Sequence, residues 1–346
     1  MATLKDVATA GKGKIAVILP DTVTSARYTQ FDAPYLEKSF TMAGLTKDDF
    51  SIVNAQGSTA TQLTDAQNAI TAGATVLVVD PLDSGTGAQI ETYAKSHGVP
   101  VIDYDRLTLG GSRDYYVSFN NVAVGTLIGN GFVQCATDWG VKDVKFIEMV
   151  GAPTDNNATL FAQGYDAVLK PLEDAGTYKK VAAPAGTWDP PTAATEFEQA
   201  LTAHPDANAA VTPNDGNTAP IVTYLKKQGV KANTFPLTGQ DASLGGLQNI
   251  LTGYQCGTVY KPIYLEAQAA AALALYLRAG QTPPASLVNG TTPDTQTKTD
   301  VPSVLMTPLW VTTKNMNATV VKDGAAPAAQ LCKGYEAQCK TAGISG

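Results

Sequence analysis

The sequence predicts an α/β fold with two lobes, each built on a parallel β-sheet. With 346 residues, the chain is longer than a typical domain of roughly 100 to 200 residues. Segments with the patterns of strands and of amphipathic helices alternate along most of its length. Strand-like runs such as residues 75–79 are apolar throughout, which is typical of strands that are covered by helices on both faces.

The first lobe is predicted to span residues 14–120 together with residues 262–308. Its first part alternates strand-like segments with segments of helical periodicity. The predicted strands are residues 14–20, 50–55, 75–80, 99–105 and 115–121, and the predicted helices are residues 29–43, 60–72 and 87–96. Alternation of this kind predicts a Rossmann-like lobe with a parallel sheet.

The second lobe is predicted to span residues 121–261 together with residues 309–346, and it repeats the same alternation. Its predicted strands are residues 144–151, 179–185, 208–215, 234–241 and 256–262, and its predicted helices are one that ends at Trp139, residues 157–172, 192–203 and 218–228, and a short one after residue 241. Beyond residue 262 we expect an alanine-rich helix over 263–278, a loop over 280–300 and an apolar strand-like run over 301–312. The chain would then cross between the lobes near Asn121, Lys261 and Pro308.

The composition argues against several classes of function. A formal charge of −7 speaks against a nucleic-acid partner, which would require a basic surface. Only two histidines, His97 and His204, are present, so a multi-histidine metal site cannot be built. Hydrophobic residues make up 44% of the chain, which is ample for a core. We therefore expect a compact binding protein without a metal or a cofactor.

Membrane and compartment signals point to a protein that does not span a membrane. The longest apolar stretch, residues 267–277, is shorter than the about 18 residues that a span needs, and the first residues lack a signal-peptide pattern. Cys332 and Cys339 would close a short loop worth about 2.5 kcal/mol in the chain-entropy model, which leaves Cys135 and Cys256 as the other pair. Four cysteines allow three pairings, and four reduced thiols are the alternative, so spacing alone does not choose. Disulfides would favour an exported protein.

Polar side chains follow most of the predicted strands. In parallel sheets the ligand crevice lies at the carboxyl ends of the strands, and carboxylate, amide and guanidinium groups can make paired hydrogen bonds with vicinal hydroxyls. The candidates are Arg27, Asp105, Arg106, Asp155, Asn157, Trp188, Asn214, Asp241 and Lys261. The apolar C–H face of a sugar would stack on an aromatic ring, for which Trp188 and Tyr28 are available. The inventory fits a polyol ligand.

The alternative is that such residues only cap helices and form turns. We favour this structural role for Asp80, Asn54, Asp189 and Asn217. It is weaker for Asp105 and Arg106, because neighbours in an extended chain are poorly placed to pair with each other, and there we favour a ligand role. For Lys261 the alternative is a solvated charge at a crossing between the lobes.

Common enzyme motifs are missing from the sequence, including Walker A, a GxGxxG after a strand, HExxH, GxSxG and CxxC. Paired carboxylates also occur in glycoside hydrolases, so a sugar-processing enzyme stays an alternative. The sequence favours a protein that binds without catalysing a reaction.

Nine segments, spread in order over nearly the whole chain, carry a more specific signal. They are SARY (25–28), VIDYDRL (101–107), YVSFNNVAVG (116–125), GAPTDNNATLFAQG (151–164), LKPLEDAG (169–176), TPNDGNTA (212–219), TGQDASLGG (238–246), TVYKPI (258–263) and VPSVLMTP (301–308). In these segments the chain resembles the periplasmic solute-binding proteins of sugar ABC transporters, which have the type I fold, and within them the xylose-binding branch.

The resemblance implies two lobes joined by a three-strand hinge, with a monosaccharide held between them. It implies sugar contacts from Arg27, Asp105 and Arg106 on the first lobe, and it implies Asp155, Asn157, Trp188, Asn214 and Asp241 on the second, with Lys261 at a crossing. Tyr28 stands where a Trp is usual in the xylose-binding branch, so one stacking face differs. D-Xylose is the favoured ligand, with glucose, galactose, arabinose and ribose as alternatives.

The same resemblance implies a monomer outside the cytoplasm that delivers its sugar to an ABC permease. The tail that carries Cys332 and Cys339 resembles an addition in lipid-anchored relatives, so the expected location is periplasmic or anchored at the outer face of the cell membrane. A sugar-sensing regulator domain has the same fold and is a further alternative. It would need an N-terminal DNA-binding segment, and 13 residues precede Lys14.

Overall fold

The computed structural model describes residues 1–22, 24–25 and 27–345, and the chain forms two compact units. Unit 1 comprises Met1–Phe119, Thr154–Asn157 and Ile263–Met306. Unit 2 comprises Asn120–Pro153, Ala158–Pro262 and Thr307–Gly346. Each unit is therefore assembled from segments that are far apart in sequence.

Strands and helices alternate as the sequence predicts. In the described residues the strands are β1 (Lys14–Leu19), β2 (Phe50–Asn54), β3 (Ala74–Val79), β4 (Val101–Tyr104), β5 (Tyr115–Phe119), β6 (Val144–Glu148), β7 (Tyr178–Ala182), β8 (Ala209–Val211), β9 (Thr258–Tyr260), β10 (Gly290–Asp294), β11 (Thr299–Met306) and β12 (Leu309–Val311). The α-helices are α1 (Lys5–Ala10), α2 (Ala33–Met42), α3 (Thr59–Thr71), α4 (Ser84–Ser96), α5 (Asn121–Asp138), α6 (Asn156–Asp174), α7 (Pro190–Ala203), α8 (Asp215–Lys227), α9 (Leu244–Leu251), α10 (Ile263–Arg278), α11 (Ala328–Leu331) and α12 (Glu336–Thr341). A 3₁₀ turn at Ala2–Leu4 and π-helical turns at Tyr28–Asp32 and Asn317–Val321 complete the list.

Unit 1 is built on one sheet in the order β10-β11-β5-β4-β3-β1-β2. All neighbouring strands in it are parallel except the β10–β11 pair, which is antiparallel. The central strands β1 and β3 are buried on both faces, as their uninterrupted apolar sequences predict. Helix α10 packs its alanine-rich face into the core of this unit, with Ala267 and Leu273 fully buried. This packing brings Glu266, which precedes Ala267, to the same core.

Unit 2 has a parallel sheet in the order β7-β6-β8 and a separate antiparallel pair of β12 with β9. Its helices begin at residues that cap them: the side chain of Asn120 accepts a hydrogen bond from the backbone N–H of Ala123 at the start of α5, and Asp189 does the same for Thr192 in α7. Disulfides join Cys135 to Cys256 and Cys332 to Cys339, which is one of the three pairings that the sequence left open. The parallel sheets found in both units confirm the predicted α/β class.

Two predicted elements are wrong. Residues 234–241 form no strand and make only isolated bridges, at Leu237 and Gln240, because Pro236 lacks an N–H and Asp241 has a φ of +89°. The predicted loop over 280–300 contains β10 and the start of β11, joined in a hairpin. Its turn is stabilised by Asp294, whose Oδ1 accepts hydrogen bonds from the backbone N–H groups of residues 296 and 297.

Two smaller differences concern the N-terminal part of the chain and one strand. The N-terminal helix α1 was not predicted, because six residues are too few to show a helical period. The predicted strand over 256–262 is shortened to β9 and pairs antiparallel with β12 rather than joining the parallel sheet. No helix among the described residues is long and apolar enough to cross a membrane.

Candidate functional site

In unit 1, charged side chains gather at the carboxyl ends of β1, β3 and β4. Arg27 lies beyond the end of β1, Asp80 follows β3 directly, and Asp105 and Arg106 follow β4. All four are buried. Because β1, β3 and β4 are parallel neighbours, their carboxyl ends lie at one edge of the sheet, as the sequence predicts. We call these residues, together with their partners described below, the unit 1 cluster.

Arg27 is surrounded by three buried carboxylates. Its guanidinium makes a bidentate pair with Asp32, at 2.9 Å from Nε to Oδ2 and 2.7 Å from Nη2 to Oδ1. Its Nη1 lies 2.7 Å from Oδ1 of Asp105, and its Nη2 lies 2.7 Å from Oε2 of Glu266. Burial alone would lower the pKa of Arg27, but the charges of Asp105, Asp32 and Glu266 raise it well above its usual value. Arg27 is therefore a fixed cation.

Tyr28 is held between the two arginines of the cluster. Its hydroxyl donates to Oδ2 of Asp105 at 3.3 Å and accepts from Nη2 of Arg106 at 3.0 Å. The guanidinium carbons of Arg27 and Arg106 lie 5.5 and 5.8 Å from the centroid of its ring. Burial raises the pKa of the phenol well above its usual value. The predicted stacking of Tyr28 on a sugar stays a prediction, and in the structure its ring faces these cations.

Asp105 occupies a strained backbone position. Its φ of +59° is in the left-handed region, which Asp and Asn tolerate better than most residues. Its carbonyl oxygen accepts hydrogen bonds from the Tyr116 hydroxyl at 2.8 Å, the Ser118 hydroxyl at 2.8 Å and the Asn157 side-chain amide at 2.9 Å. Three donors to one carbonyl hold this peptide in place, so the packing around Asp105 determines the direction in which its carboxylate points.

Arg106 pairs with carboxylates other than its neighbour in sequence. Its Nε lies 3.2 Å from Oδ2 of Asp155 and 3.6 Å from Oδ1 of Asp80. Burial would lower its pKa, but the interactions with Tyr28, Asp155 and Asp80 raise it well above the usual value. Asp105 and Arg106 thus pair with different charged groups, while both also contact the Tyr28 hydroxyl.

Asp155 and Asn157 belong to unit 1, although the resemblance placed them on the second lobe. Oδ1 of Asp155 accepts from the backbone N–H of Asn157 at 2.9 Å. The Asn157 side chain donates to the carbonyl of Asp105, and its Oδ1 accepts from the Tyr116 hydroxyl at 3.3 Å. These contacts draw the short segment Thr154–Asn157 to the end of β4, which is why it groups with unit 1.

Asp80 is not the helix cap or turn former that the sequence favours. It is fully buried, neither of its carboxylate oxygens has a hydrogen-bond partner among the described residues, and its nearest cation is Arg106. Burial, followed by the nearby charge of Asp105, raises the pKa of Asp80 well above its usual value. Asp80 is therefore a buried acid of the unit 1 cluster, next to Arg106.

Of the other three residues that we predicted to be caps or turn formers, two have this role and one does not. Asp189 caps α7, and Asn54 forms a turn by accepting from the N–H of Gln56 and donating to the carbonyl of Asp21, as predicted. Asn217 lies inside α8, and the cap of that helix is Asn214, whose Oδ1 accepts from the Asn217 N–H at 2.9 Å. Capping is thus one role of Asn214, and a sugar contact from the same side chain stays a prediction.

In unit 2 the remaining candidates are Trp188, Asp241 and Lys261. The half-buried indole of Trp188 packs closely against Gly151, where an added Cβ would be 2.2 Å from two ring carbons. Nζ of Lys261 lies 3.2 Å from Oδ1 of Asp241, and Lys261 is 4% exposed, so it is not the solvated charge of the alternative interpretation. The structure therefore brings Asp241 and Lys261 together, and the Trp188 ring occupies space that only a glycine at position 151 leaves open.

Comparison with known proteins identifies the family. A model described as a periplasmic binding protein domain matches residues 15–282. The chain belongs to the periplasmic binding protein family. It is 37% identical over 277 residues to the D-xylose-binding periplasmic protein of Escherichia coli K12, covering 79% of this chain and 80% of that protein. It is 33% identical over 344 residues to the multiple sugar-binding periplasmic receptor ChvE of Rhizobium radiobacter, covering 93% of each chain.

Solved structures agree with the type I fold. A carbohydrate transporter solute-binding protein from Chloroflexus aurantiacus in complex with D-glucose has a TM-score of 0.82 at 28% identity, over 91% of this chain and 97% of that one. An ABC transporter solute-binding protein from Clostridium phytofermentans with bound β-D-glucose has a TM-score of 0.81 at 25% identity, over 92% and 99%. The family and the fold predicted from the sequence are therefore confirmed.

Sequence reasoning missed several members of this periplasmic binding protein's charged clusters. Asp32 and Glu266 hold Arg27, yet both lie in helical segments and not after strands. Glu266 did offer a signal, because it is an isolated acid at the start of the alanine-rich, buried helix α10. Among the described residues, no group of three or more His, Cys, Asp and Glu side chains is placed to hold a metal ion.

Proposed function

We propose that this protein captures a neutral monosaccharide, with D-xylose as the first candidate, and delivers it to an ABC permease without converting it. The observation that carries the proposal is the unit 1 cluster, in which Arg27, Asp105, Arg106 and Asp155 are buried, paired and held at the carboxyl edge of a parallel sheet. Fixed carboxylate and guanidinium groups can accept from and donate to vicinal hydroxyls with little reorganisation.

The charge of the cluster favours a neutral polyol. Around Arg27 and Arg106 the carboxyl groups of Asp32, Asp105, Asp155 and Glu266 outnumber the guanidinium groups. An anionic ligand would be repelled by this surplus, whereas the hydroxyls of a sugar can donate hydrogen bonds to it. Micromolar affinity corresponds to about 8 kcal/mol, which a handful of hydrogen bonds to charged groups and one ring stack can supply.

The two units described above are our assignment for the two predicted lobes. Trp188, Asn214, Asp241 and Lys261 of unit 2 stay candidate sugar contacts, with Trp188 offering the aromatic face for the C–H side of the ring. That one sugar engages candidates of both units stays a prediction. It requires that variants in either unit lose affinity for the same sugar.

D-Glucose is the second candidate ligand. The relatives differ in what their names say they bind: the Escherichia coli protein is a D-xylose binder, ChvE is a multiple-sugar receptor, and two solved neighbours hold glucose. We favour D-xylose because the xylose-binding relative has the higher identity, although it matches a smaller share of the chain. The proposal places the protein outside the cytoplasm, as a monomer.

Thermal-shift measurements over neutral pentoses and hexoses, followed by calorimetry, test the proposal. A sugar present at 100 times its dissociation constant should stabilise the folded protein by about 2.7 kcal/mol. We expect the largest shift with D-xylose, followed by D-glucose. If D-glucose, D-galactose, L-arabinose or D-ribose gives the largest shift, that sugar replaces D-xylose as the assigned ligand. If no sugar gives a shift, the proposed function is refuted.

A further inference from the structure

A buried carboxylate in unit 2 lies outside the predicted set of sugar contacts. Asp215 is the first residue of α8 and is 1% exposed. Its Oδ1 accepts hydrogen bonds from Nε2 of Gln255 at 2.7 Å and from Oγ1 of Thr258 at 2.9 Å, and its Oδ2 accepts from the backbone N–H of Ser243 at 2.8 Å. One side chain thus ties together three segments that are distant along the chain.

The surrounding backbone is shaped for this carboxylate. A Cβ added at Gly239 would lie 2.1 Å from Oδ1 of Asp215, and one added at Gly246 would lie 2.2 Å from Oδ2. A side chain at either position would displace the carboxylate from its hydrogen bonds, because real Cβ atoms do not approach so closely. The two glycines flank the segment that carries Asp241, so this segment is packed directly on Asp215.

The segment next to Asp241 is strained and depends on these bonds. Asp241 and Ala242 have φ values of +89° and +50°, in the left-handed region that costs energy for residues with a side chain. The N–H of Ser243 donates to Asp215, and the N–H of Ala242 donates to Oγ1 of Thr258 at 3.2 Å, which itself donates to Asp215. Asp215 therefore holds the two residues that follow Asp241.

All hydrogen-bond partners of Asp215 donate, so the geometry fits the ionised carboxylate. The backbone N–H of Ser243 can only donate, whereas the Thr258 hydroxyl could rotate and the Gln255 amide could turn its Oε1 toward Asp215. Burial, with a smaller contribution from the charge of Asp241, raises the pKa of Asp215 to about 7. Asp241 is the charged group that faces Asp215 from the packed segments, and it is itself paired with Lys261.

We propose that Asp215 is a positioning residue that fixes the backbone of Asp241 for the ligand and makes sugar affinity depend on pH. Protonation removes the negative charge that strengthens the hydrogen bonds to Asp215 and turns one acceptor oxygen into a donor, so the bonds that hold residues 242 and 243 become weaker. The strained turn then relaxes, and Asp241 moves away from its binding geometry. This inference rests on the proposed function.

Calorimetry with D-xylose at pH 6, 7 and 8 tests the inference. If binding requires ionised Asp215, the affinity of the wild type should fall about 10-fold from pH 8 to pH 6, since one proton competes with binding over this range. Asp215→Asn should bind at least about 10-fold more weakly at pH 8, because the amide carries no charge and its nitrogen would face either the Ser243 N–H or Nε2 of Gln255. It should also show no pH dependence between pH 6 and 8.

Controls separate this role from loss of fold. Asp206→Asn removes an exposed carboxylate of unit 2, with 57% side-chain exposure, and should bind and titrate like the wild type. If Asp215→Asn fails to fold, Thr258→Val keeps the side-chain shape and removes the hydroxyl that links Asp215 to Ala242. Thr258→Val should weaken binding at pH 8. In the wild type, the carboxyl ¹³C resonances should include one from an Asp that titrates near pH 7.

The outcomes are distinct. If the wild type binds no sugar at any pH, the proposed function fails and the inference falls with it. If the wild type binds D-xylose but Asp215→Asn, or Thr258→Val in its place, has unchanged affinity, the positioning role is overturned while the function stands. If Asp215→Asn keeps the pH dependence of the wild type, the titrating group is another residue and the pH part of the inference is overturned.

Discussion

Replacing Asp105 by Asn tests the unit 1 cluster most directly. The change removes one negative charge and keeps the shape of the side chain, and Asn tolerates the φ of +59° as well as Asp does. Oδ1 can still accept from Arg27, whereas an amide nitrogen would replace the oxygen that accepts from the Tyr28 hydroxyl. The substitution therefore changes charge and hydrogen bonding with little change in packing.

The magnitude follows from the remaining partners of Arg27. Breaking an isolated buried ion pair costs about 3 to 5 kcal/mol, but Arg27 keeps Asp32 and Glu266, so we expect a loss of only about 1 to 2 kcal/mol in the free energy of unfolding. If Asp105 accepts two sugar hydroxyls at about 1 to 2 kcal/mol each, affinity should fall roughly 30- to 1,000-fold. Binding should thus suffer more than stability.

Calorimetry with D-xylose and urea unfolding of the sugar-free protein measure the two effects. Glu37→Gln, in the same unit, is a matched control, because its side chain is 47% exposed and its pairing with Lys47 is worth little. Asp105→Ala should lose about 1 kcal/mol more stability than Asp105→Asn, since Ala is less favourable in the left-handed region. An affinity of Asp105→Asn within twofold of the wild type would refute the assignment of Asp105 to the sugar site.

Two further predictions concern the framework of unit 2. Replacing Cys135 and Cys256 by Ser should lower the free energy of unfolding by about 5 kcal/mol, and replacing Cys332 and Cys339 by Ser should lower it by about 2.5 kcal/mol, because the first disulfide closes a far longer loop. Urea unfolding measures both losses, and a larger loss in the Cys332 and Cys339 variant would contradict this prediction. Gly131→Ala should destabilise by about 1 to 3 kcal/mol, since its Cβ would lie 2.2 Å from a ring carbon of Trp310, whereas the control Gly245→Ala meets open space and should be neutral or slightly stabilising. Equal melting temperatures for the two Gly variants would show that the Trp310 ring can move aside.

The elements that the sequence predicted well are those whose signal is local. The alanine-rich helix over 263–278 is found with the same bounds, because helical periodicity is carried by neighbouring residues. The run over 234–241 has a similarly strand-like composition and yet forms no strand, because pairing depends on a partner at the right position and on the N–H that Pro236 lacks. The hairpin of β10 and β11 was hidden by a composition typical of loops.

The candidate site shows the same division. That polar residues after parallel strands meet at one edge follows from chain topology alone, so the sequence by itself indicated Arg27, Asp105 and Arg106 as members of one cluster. Which carboxylate each cation would face did not follow, and Asp80 was predicted to be a structural residue. Arg27 is paired with Glu266, 239 positions away in the chain, and no local pattern reports such a contact.

The sequence thus determined the class of fold, the alternation of elements and the chemical types available for binding. Only the tertiary structure decided the pairing of charges, the role of Asn214 as a helix cap and the burial of Asp80 and Asp215. The physical reason is that helix and strand patterns depend on residues a few positions apart. Ion pairs and pKa values depend instead on distance and desolvation in space, which arise when segments from opposite ends of the chain pack together.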